Sequence, residues 1–362
     1  MRRPKLYLII AAVSVCAAAA AGLLFVRLRK PALSPERQAL VDQGQELYQR
    51  MCSVCHGVSG EGYKADQAPM LANPEFLATV SDSFLRKAIV NGRRGTTMSA
   101  WSKARGGPLK PAEVEAVIAY LRTWQKKPAL KLEDKPATGD PKRAEPTFAR
   151  ECSKCHGARG TGGPNLNVGN PELLTSAGNG FLRHAIRHGR PGTLMPAFEG
   201  KLPAPAVEDL LSLLRSWERP APPVVKPPPR QAPIPLGPVP LNPKGPEPVG
   251  FNAYPKGTSV EVVHAALAKG ARLALLDARA PSDYMREHIA GALSVPFYDP
   301  SPYLSALPKN TWLVCYCSCP HAESGKLAAD LVAKGFPKVT VLDEGLGFWR
   351  NKNYPVQTGD KP

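Results

Sequence analysis

The stretch Cys52-Ser53-Val54-Cys55-His56 returns later in the chain as Cys152-Ser153-Lys154-Cys155-His156. A Cys-x-x-Cys-His run reads as a c-type haem attachment site. Each thiol bonds one vinyl-derived carbon of the porphyrin, and the adjacent His sits beneath the ring as proximal iron ligand. Cys-x-x-Cys also serves zinc and thioredoxin-like redox sites, so the motif alone leaves zinc and disulfide readings open.

The sequence downstream narrows the choice. Asn73-Pro74-Glu75, Phe84-Leu85-Arg86, Gly92-Arg93, Gly95-Thr96 and Met98 are answered by Asn170-Pro171-Glu172, Phe181-Leu182-Arg183, Gly189-Arg190, Gly192-Thr193 and Met195. The offset is 100 residues at the cysteines and 97 from the Asn-Pro pair onward, so one loop is three residues shorter. A whole small domain is therefore repeated. Each copy keeps a Met in a Gly-rich polar loop, and a thioether is a sixth ligand that haem iron accepts opposite imidazole. A Met can also be a flexible core filler, and Met70 is a rival thioether in the first copy. The expected iron ligands are His56 with Met98 and His156 with Met195, and the expected cofactors are two covalently attached haem c.

Leu40, Gly44, Leu47 and Tyr48 share a helix face leading into Cys52, and Val114, Val117, Ile118, Leu121 and Trp124 recur at helical spacing after Pro111. With Cys-x-x-Cys-His-Gly, a following Pro-x-Leu, the Gly-Thr-x-Met loop and a terminal Leu-Arg-x-Trp helix, both copies resemble class I cytochromes c. The resemblance covers residues 34–127 and 141–219 and implies two all-α domains. It also implies that the carbonyls of Pro69 and Pro164 accept the proximal His Nδ1–H. Pro146 should shorten or kink the helix leading into Cys152, and Ser99 follows the first Met where Pro196 follows the second. His184 and His188 read as two solvated side chains on a basic helix.

Residues 6–26 are largely apolar behind Arg2, Arg3 and Lys5. They read as a transmembrane anchor within residues 1–30, with a cleavable signal as the competing reading. The expected location is the bacterial cytoplasmic membrane, with the domains facing the periplasm. A formal net charge of +17 accompanies no Lys/Arg run interleaved with aromatics, which speaks against nucleic acid.

Between residues 220 and 248 there are 13 prolines, the mark of an extended linker that separates modules and limits their contact. From residue 251 the texture alternates. Strands are expected over 272–277, 311–316 and 339–342, with a helix over 325–334, which implies a parallel sheet. Leu276-Asp277-Ala278-Arg279, Glu287-His288-Ile289-Ala290-Gly291-Ala292, Tyr316-Cys317 and Leu342-Asp343-Glu344-Gly345 resemble a rhodanese domain over 251–362. That resemblance implies an α/β fold with Cys317 as the catalytic thiol that carries sulfane sulfur. The loop after Cys317 departs from the pattern: it is one residue longer, lacks the usual Arg, and contains Cys319 and Glu323. Cys315, inside the strand, reads as a buried structural thiol.

Together these readings lead to an exported, membrane-tethered dihaem electron carrier with a sulfurtransferase-like module. Its expected partners are a redox donor or acceptor, such as a membrane respiratory complex, and a sulfane-sulfur donor. A sulfur-oxidising enzyme and a haem redox sensor with a docking domain are the alternatives.

Overall fold

The leading helix of the first copy, α1 (Pro35–Met51), follows the expected periodicity and buries Val41, Gly44, Leu47, Tyr48 and Met51. The structure, a computed structural model, describes residues 33–63, 68–219, 242–318 and 321–362. It divides into compact units at residues 1–40 and 41–362, and the second unit holds both haem motifs and the C-terminal domain. The expected anchor over 1–30 lies outside the described residues. Among those described, no helix is long and apolar enough to cross a membrane.

In the first copy α1 meets α5 (Pro111–Thr123) at a crossing that only glycine permits. A Cβ on Gly44 would lie 2.0 Å from the Ala116 carbonyl oxygen. Between these helices come the short α2 (Ser53–His56), α3 (Pro74–Thr79) and α4 (Asp82–Asn91). The second copy repeats the plan with α6 (Pro141–Glu151), α7 (Ser153–His156), α8 (Pro171–Ser176), α9 (Asn179–His188) and α10 (Ala204–Ser216). As expected from Pro146, α6 is shorter than α1, with 11 residues against 17. Ala144 is fully buried where the first copy has Gly44.

The copies pack on each other through equivalent parts. Asn73 caps α3 with its Oδ1, and its Nδ2 donates to the carbonyl of Pro191 at 2.7 Å. Asn170 caps α8 in the same way, and its Nδ2 donates to the carbonyl of Arg94 at 2.8 Å. Asn170 and Pro191 are the counterparts of Asn73 and Arg94, so the contact is reciprocal, as in a twofold dimer. The rings of Phe84 and Phe181, also counterparts, meet 5.2 Å apart. A repeated Asn-Pro thus caps a helix and joins the domains.

The C-terminal domain has a parallel five-stranded sheet in the order β1 (Gly257–Thr258), β6 (Val339–Leu342), β5 (Trp312–Tyr316), β2 (Leu273–Asp277), β4 (Leu293–Ser294). A separate pair joins β3 (His288–Ile289) to β7 (Val356–Gln357). Helix α11 (Val260–Ala268) precedes β2 and α12 (Pro281–Arg286) follows it. α13 (Ala322–Ala333) connects β5 to β6, and α14 (Gly345–Asn351) follows β6. The three expected strands and the connecting helix are present. A core of Val260, Leu273, Leu275, Val314, Tyr316 and Trp349 fills one side of the sheet.

One expectation fails. Most of the proline-rich stretch, residues 220–241, lies outside the described residues, but the modules on its two sides are not without contact. Ser99, Ala100 and Trp101 of the first copy are buried, and they bond and stack with Ser282, Asp283, Phe297 and Tyr298 of the C-terminal domain. Composition bears on the segment between the modules; it says nothing about complementarity between their surfaces.

Candidate functional site

The two Cys-x-x-Cys-His turns match bond for bond. His56 N–H donates to the Cys52 carbonyl at 2.9 Å, and His156 N–H to that of Cys152 at 3.0 Å. In each copy a glycine N–H, Gly62 or Gly162, then donates to the His carbonyl. The ring of His56 donates from Nδ1 to the carbonyl of Pro69 at 3.0 Å. A carbonyl only accepts, so Nδ1 carries the proton and Nε2 presents its lone pair. Burial pushes the His56 imidazole down, which keeps it neutral.

In the second copy the acceptor is the carbonyl of Leu166, at 2.8 Å from His156 Nδ1, and not that of Pro164. The correction has a simple cause. The three-residue deletion lies between His156 and the acceptor, so Leu166 is already the 97-residue counterpart of Pro69. The bond belongs to a place in the loop, and a carbonyl needs no proline.

The Met loops agree just as closely. Arg93 N–H donates to the Met98 carbonyl and Arg190 N–H to that of Met195, at 2.8 and 3.1 Å. Met98 N–H and Met195 N–H each donate to the hydroxyl of the Thr two residues earlier, both at 3.2 Å. Gly92 and Gly189 open these loops at φ 65° and 63°, and a Cβ on either would strike the backbone at the Met. Arg93 lies over Phe84 and Arg190 over Phe181. Burial pushes both guanidinium groups down to about 10. Arg93 and Arg190 bond to backbone carbonyls, so each pocket holds a cation suited to a cofactor that bears carboxylates.

Burial also pushes the Cys52 thiol up to about 12 and Cys152 to about 11. Burial thus works against the thiolate that a thioredoxin-like site needs. Among the described residues no group of three or more His, Cys, Asp or Glu is arranged to hold a metal ion, so a zinc site of protein ligands finds no support there. An imidazole with an open Nε2, two thiols on the same helical turn, a thioether loop and a buried cation fit haem c.

His184 departs from its expected solvated role. Its Nε2 lies 2.7 Å from Glu75 Oε1 of the other copy, with its side chain 13% exposed. Its neighbour His188 stays half-exposed beside Glu199.

In the C-terminal domain Cys317 ends β5, buried, with its Sγ 3.3 Å from Ser324 Oγ. Arg279 is buried beside it and grips Asp277 with Nε and Nη2 at 2.9 and 2.6 Å, while Nη1 donates to Ser318 at 3.1 Å. A guanidinium neutralised this way contributes little positive field to a thiolate. Glu323 is buried nearby, and burial, then Cys317 and Asp283, hold its carboxyl well above the usual carboxylate range. Cys315 is fully buried, as expected, and burial raises its thiol. Cys319 lies outside the described residues. Arg279 stands inside the Asp277-Ala278-Arg279 phrase, but nothing in the sequence ties it to Asp277 rather than to a ligand.

Residues 41–125 match the cytochrome c family, and residues 139–214 match the family described as cytochrome C oxidase, cbb3-type, subunit III. Residues 259–352 match the rhodanese-like domain. The chain joins cytochrome c domains to a rhodanese-like domain. It is similar to the cbb3-type cytochrome c oxidase subunit FixP of Bradyrhizobium diazoefficiens, 30% identical over 172 residues, which are 44% of this chain and 55% of that protein. Subunit CcoP of Helicobacter pylori is 26% identical over 167 residues, 46% of this chain and 54% of that protein. The chain thus spans little more than half the length of these curated relatives. The thiosulfate sulfurtransferase GlpE of Pseudomonas fluorescens is 34% identical over 85 residues, 23% of this chain and 75% of that protein. The C-terminal domain belongs to the rhodanese-like family. Cytochrome c domains imply covalently bound haem c, here joined to a rhodanese-like module.

Proposed function

We propose that the chain is an exported, membrane-tethered dihaem cytochrome that passes electrons between a redox donor and an acceptor of a respiratory complex. Cys52 and Cys55 would hold one haem and Cys152 and Cys155 the other, with His56, Met98, His156 and Met195 as axial ligands. Bound haem supplies one-electron chemistry. The protein's own part is to fix the tautomer of each His, to aim each Met by a two-bond loop, and to keep water from the pocket. The observation that carries this reading is the His–carbonyl bond, made in both copies by residues of different type at the same place. Replacing His56 or His156 with Ala should each abolish the low-spin spectrum of one haem; an unchanged spectrum from either variant contradicts the ligand assignment.

The tether rests on the apolar run at residues 6–26 and the basic residues before it. Fractionation of cells should leave the intact chain in the membrane. A mature protein beginning between Ala17 and Leu23 would refute the anchor.

A second reading concerns sulfur. The likeness to a thiosulfate sulfurtransferase and the place of Cys317 at the end of β5 support transfer of sulfane sulfur through that thiol. The pairing of Arg279 with Asp277 leaves little positive charge there for an anionic donor. Offered thiosulfate and a thiol acceptor, the reduced protein should turn over slowly, and Cys317→Ser should stop it while Cys319→Ser should not.

A further inference from the structure

The residue after each Met has different surroundings in the two copies. Ser99 is buried, and its hydroxyl donates to Asp283 Oδ2 of α12. The other oxygen of that carboxylate takes Arg286 Nη1 at 2.9 Å. One residue on, the Ala100 carbonyl accepts from Ser282 Oγ at 2.9 Å. Trp101 then meets Tyr298 and Phe297, with ring centres 5.6 and 6.5 Å away. In the second copy the counterparts of Ser99 and Ala100 are Pro196 and Ala197, and both are exposed. Proline has no hydroxyl to give and no partner there to receive one.

The same two domains meet at a second place. Helix α2, which carries Cys55 and His56, packs against α13, the helix that follows the Cys317 loop. The first cytochrome domain therefore touches the rhodanese-like domain at α12 and at α13, and Glu323 of α13 feels both Asp283 and Cys317. Cys317 is 1% exposed and Ser324 equally covered.

We propose that the first cytochrome domain is the fixed docking partner of the rhodanese-like domain, latched by Ser99–Asp283 and Ser282–Ala100, and that this docking closes the face that holds Cys317. Access to the thiol then requires the domains to part, whatever chemistry the thiol performs. Two buried bonds, one to a carboxylate, are enough to shift such an intramolecular equilibrium by about tenfold or more. The latch is specific to the first copy because only that copy has a hydroxyl after its Met.

The test uses the haem-loaded full chain. A protease site is inserted within residues 225–235, and the cut protein is run on a sizing column. The rhodanese-like fragment should elute with the cytochrome fragment, and Ser99→Pro, which installs the residue of the second copy, should release it. In the uncut chain the alkylation rate of Cys317, followed by mass spectrometry of its peptide, should rise about tenfold or more in Ser99→Pro. The double variant Ser282→Ala with Asp283→Asn should do the same while leaving every cytochrome residue in place, which covers the case in which Ser99→Pro disturbs the Met loop. Pro196→Ser should change neither measurement. Separation of the cut wild-type fragments, or a wild-type alkylation rate in the double variant, would overturn the proposal. An equal rise on Pro196→Ser would overturn its assignment to the first copy.

Discussion

The first and second cytochrome domains share their chemistry and differ in what surrounds it. Both hold the His through Nδ1, both tie the Met carbonyl to an Arg N–H, and both place that Arg over a Phe ring. Yet the His56 side is buried and the His156 side is partly open, and among the described residues only the first Met loop is covered by a third domain. A repeated motif thus keeps its bonding at the cofactor while the residues next to it are free to diverge. Ser99 against Pro196 and Gly44 against Ala144 are such divergences. They set the neighbours, and through them the polarity around each site, which is one of the means by which a protein tunes a haem.

The largest test of equivalence is removal of the attachment thiols. Cys52→Ser with Cys55→Ser should lower the covalent haem content by half, and Cys152→Ser with Cys155→Ser should do the same. A loss of both haems from either pair, measured by mass of the purified chain, would mean that the copies load as one unit.

Packing should show the opposite, a clear inequality. Gly44→Ala forces a Cβ into the Ala116 carbonyl, at a cost of about 1–3 kcal/mol. The matching change in the second copy, Ala144→Gly, removes a methyl group and adds chain freedom, costing roughly 0.5–1 kcal/mol. Thermal unfolding followed at the haem bands would separate the two, and equal shifts would break the distinction.

The smallest effect is at the joint between the copies. Bonds from Lys127 and His184 hold the Glu75 carboxyl below the usual carboxylate range. A depressed carboxylate stabilises the fold above its unfolded pKa, and the benefit is lost as pH falls through its lower native value. Glu75→Gln should therefore cost up to about 1 kcal/mol at neutral pH and nothing in strong acid. A cost that stays constant through the acid range would mean that shape and not charge matters at that position.

Much of this is legible in the chain. Cys-x-x-Cys-His is readable because covalent attachment and ligation need those residues at that spacing, and the 97-residue echo carries the Met loops with it. The sheet is readable from apolar runs whose burial is complete, as in Leu273–Asp277. What escapes depends on backbone or on distant surfaces. The Leu166 carbonyl has no side-chain signature, so Pro164 draws the assignment. His184 looks like a solvated side chain because Glu75, its partner, stands 109 residues away. The contact between Ser99 and Asp283 spans 184 residues, and no local pattern announces it.

The proposed His/Met ligation of both copies is tested most directly by the weak near-infrared sulfur-to-iron band of the oxidised protein. Met98→Ala and Met195→Ala should each remove about half of that band, and the double variant should abolish it. Loss on Met70→Ala, with Met98→Ala leaving the band intact, would contradict the equivalence and move the first iron ligand to another loop.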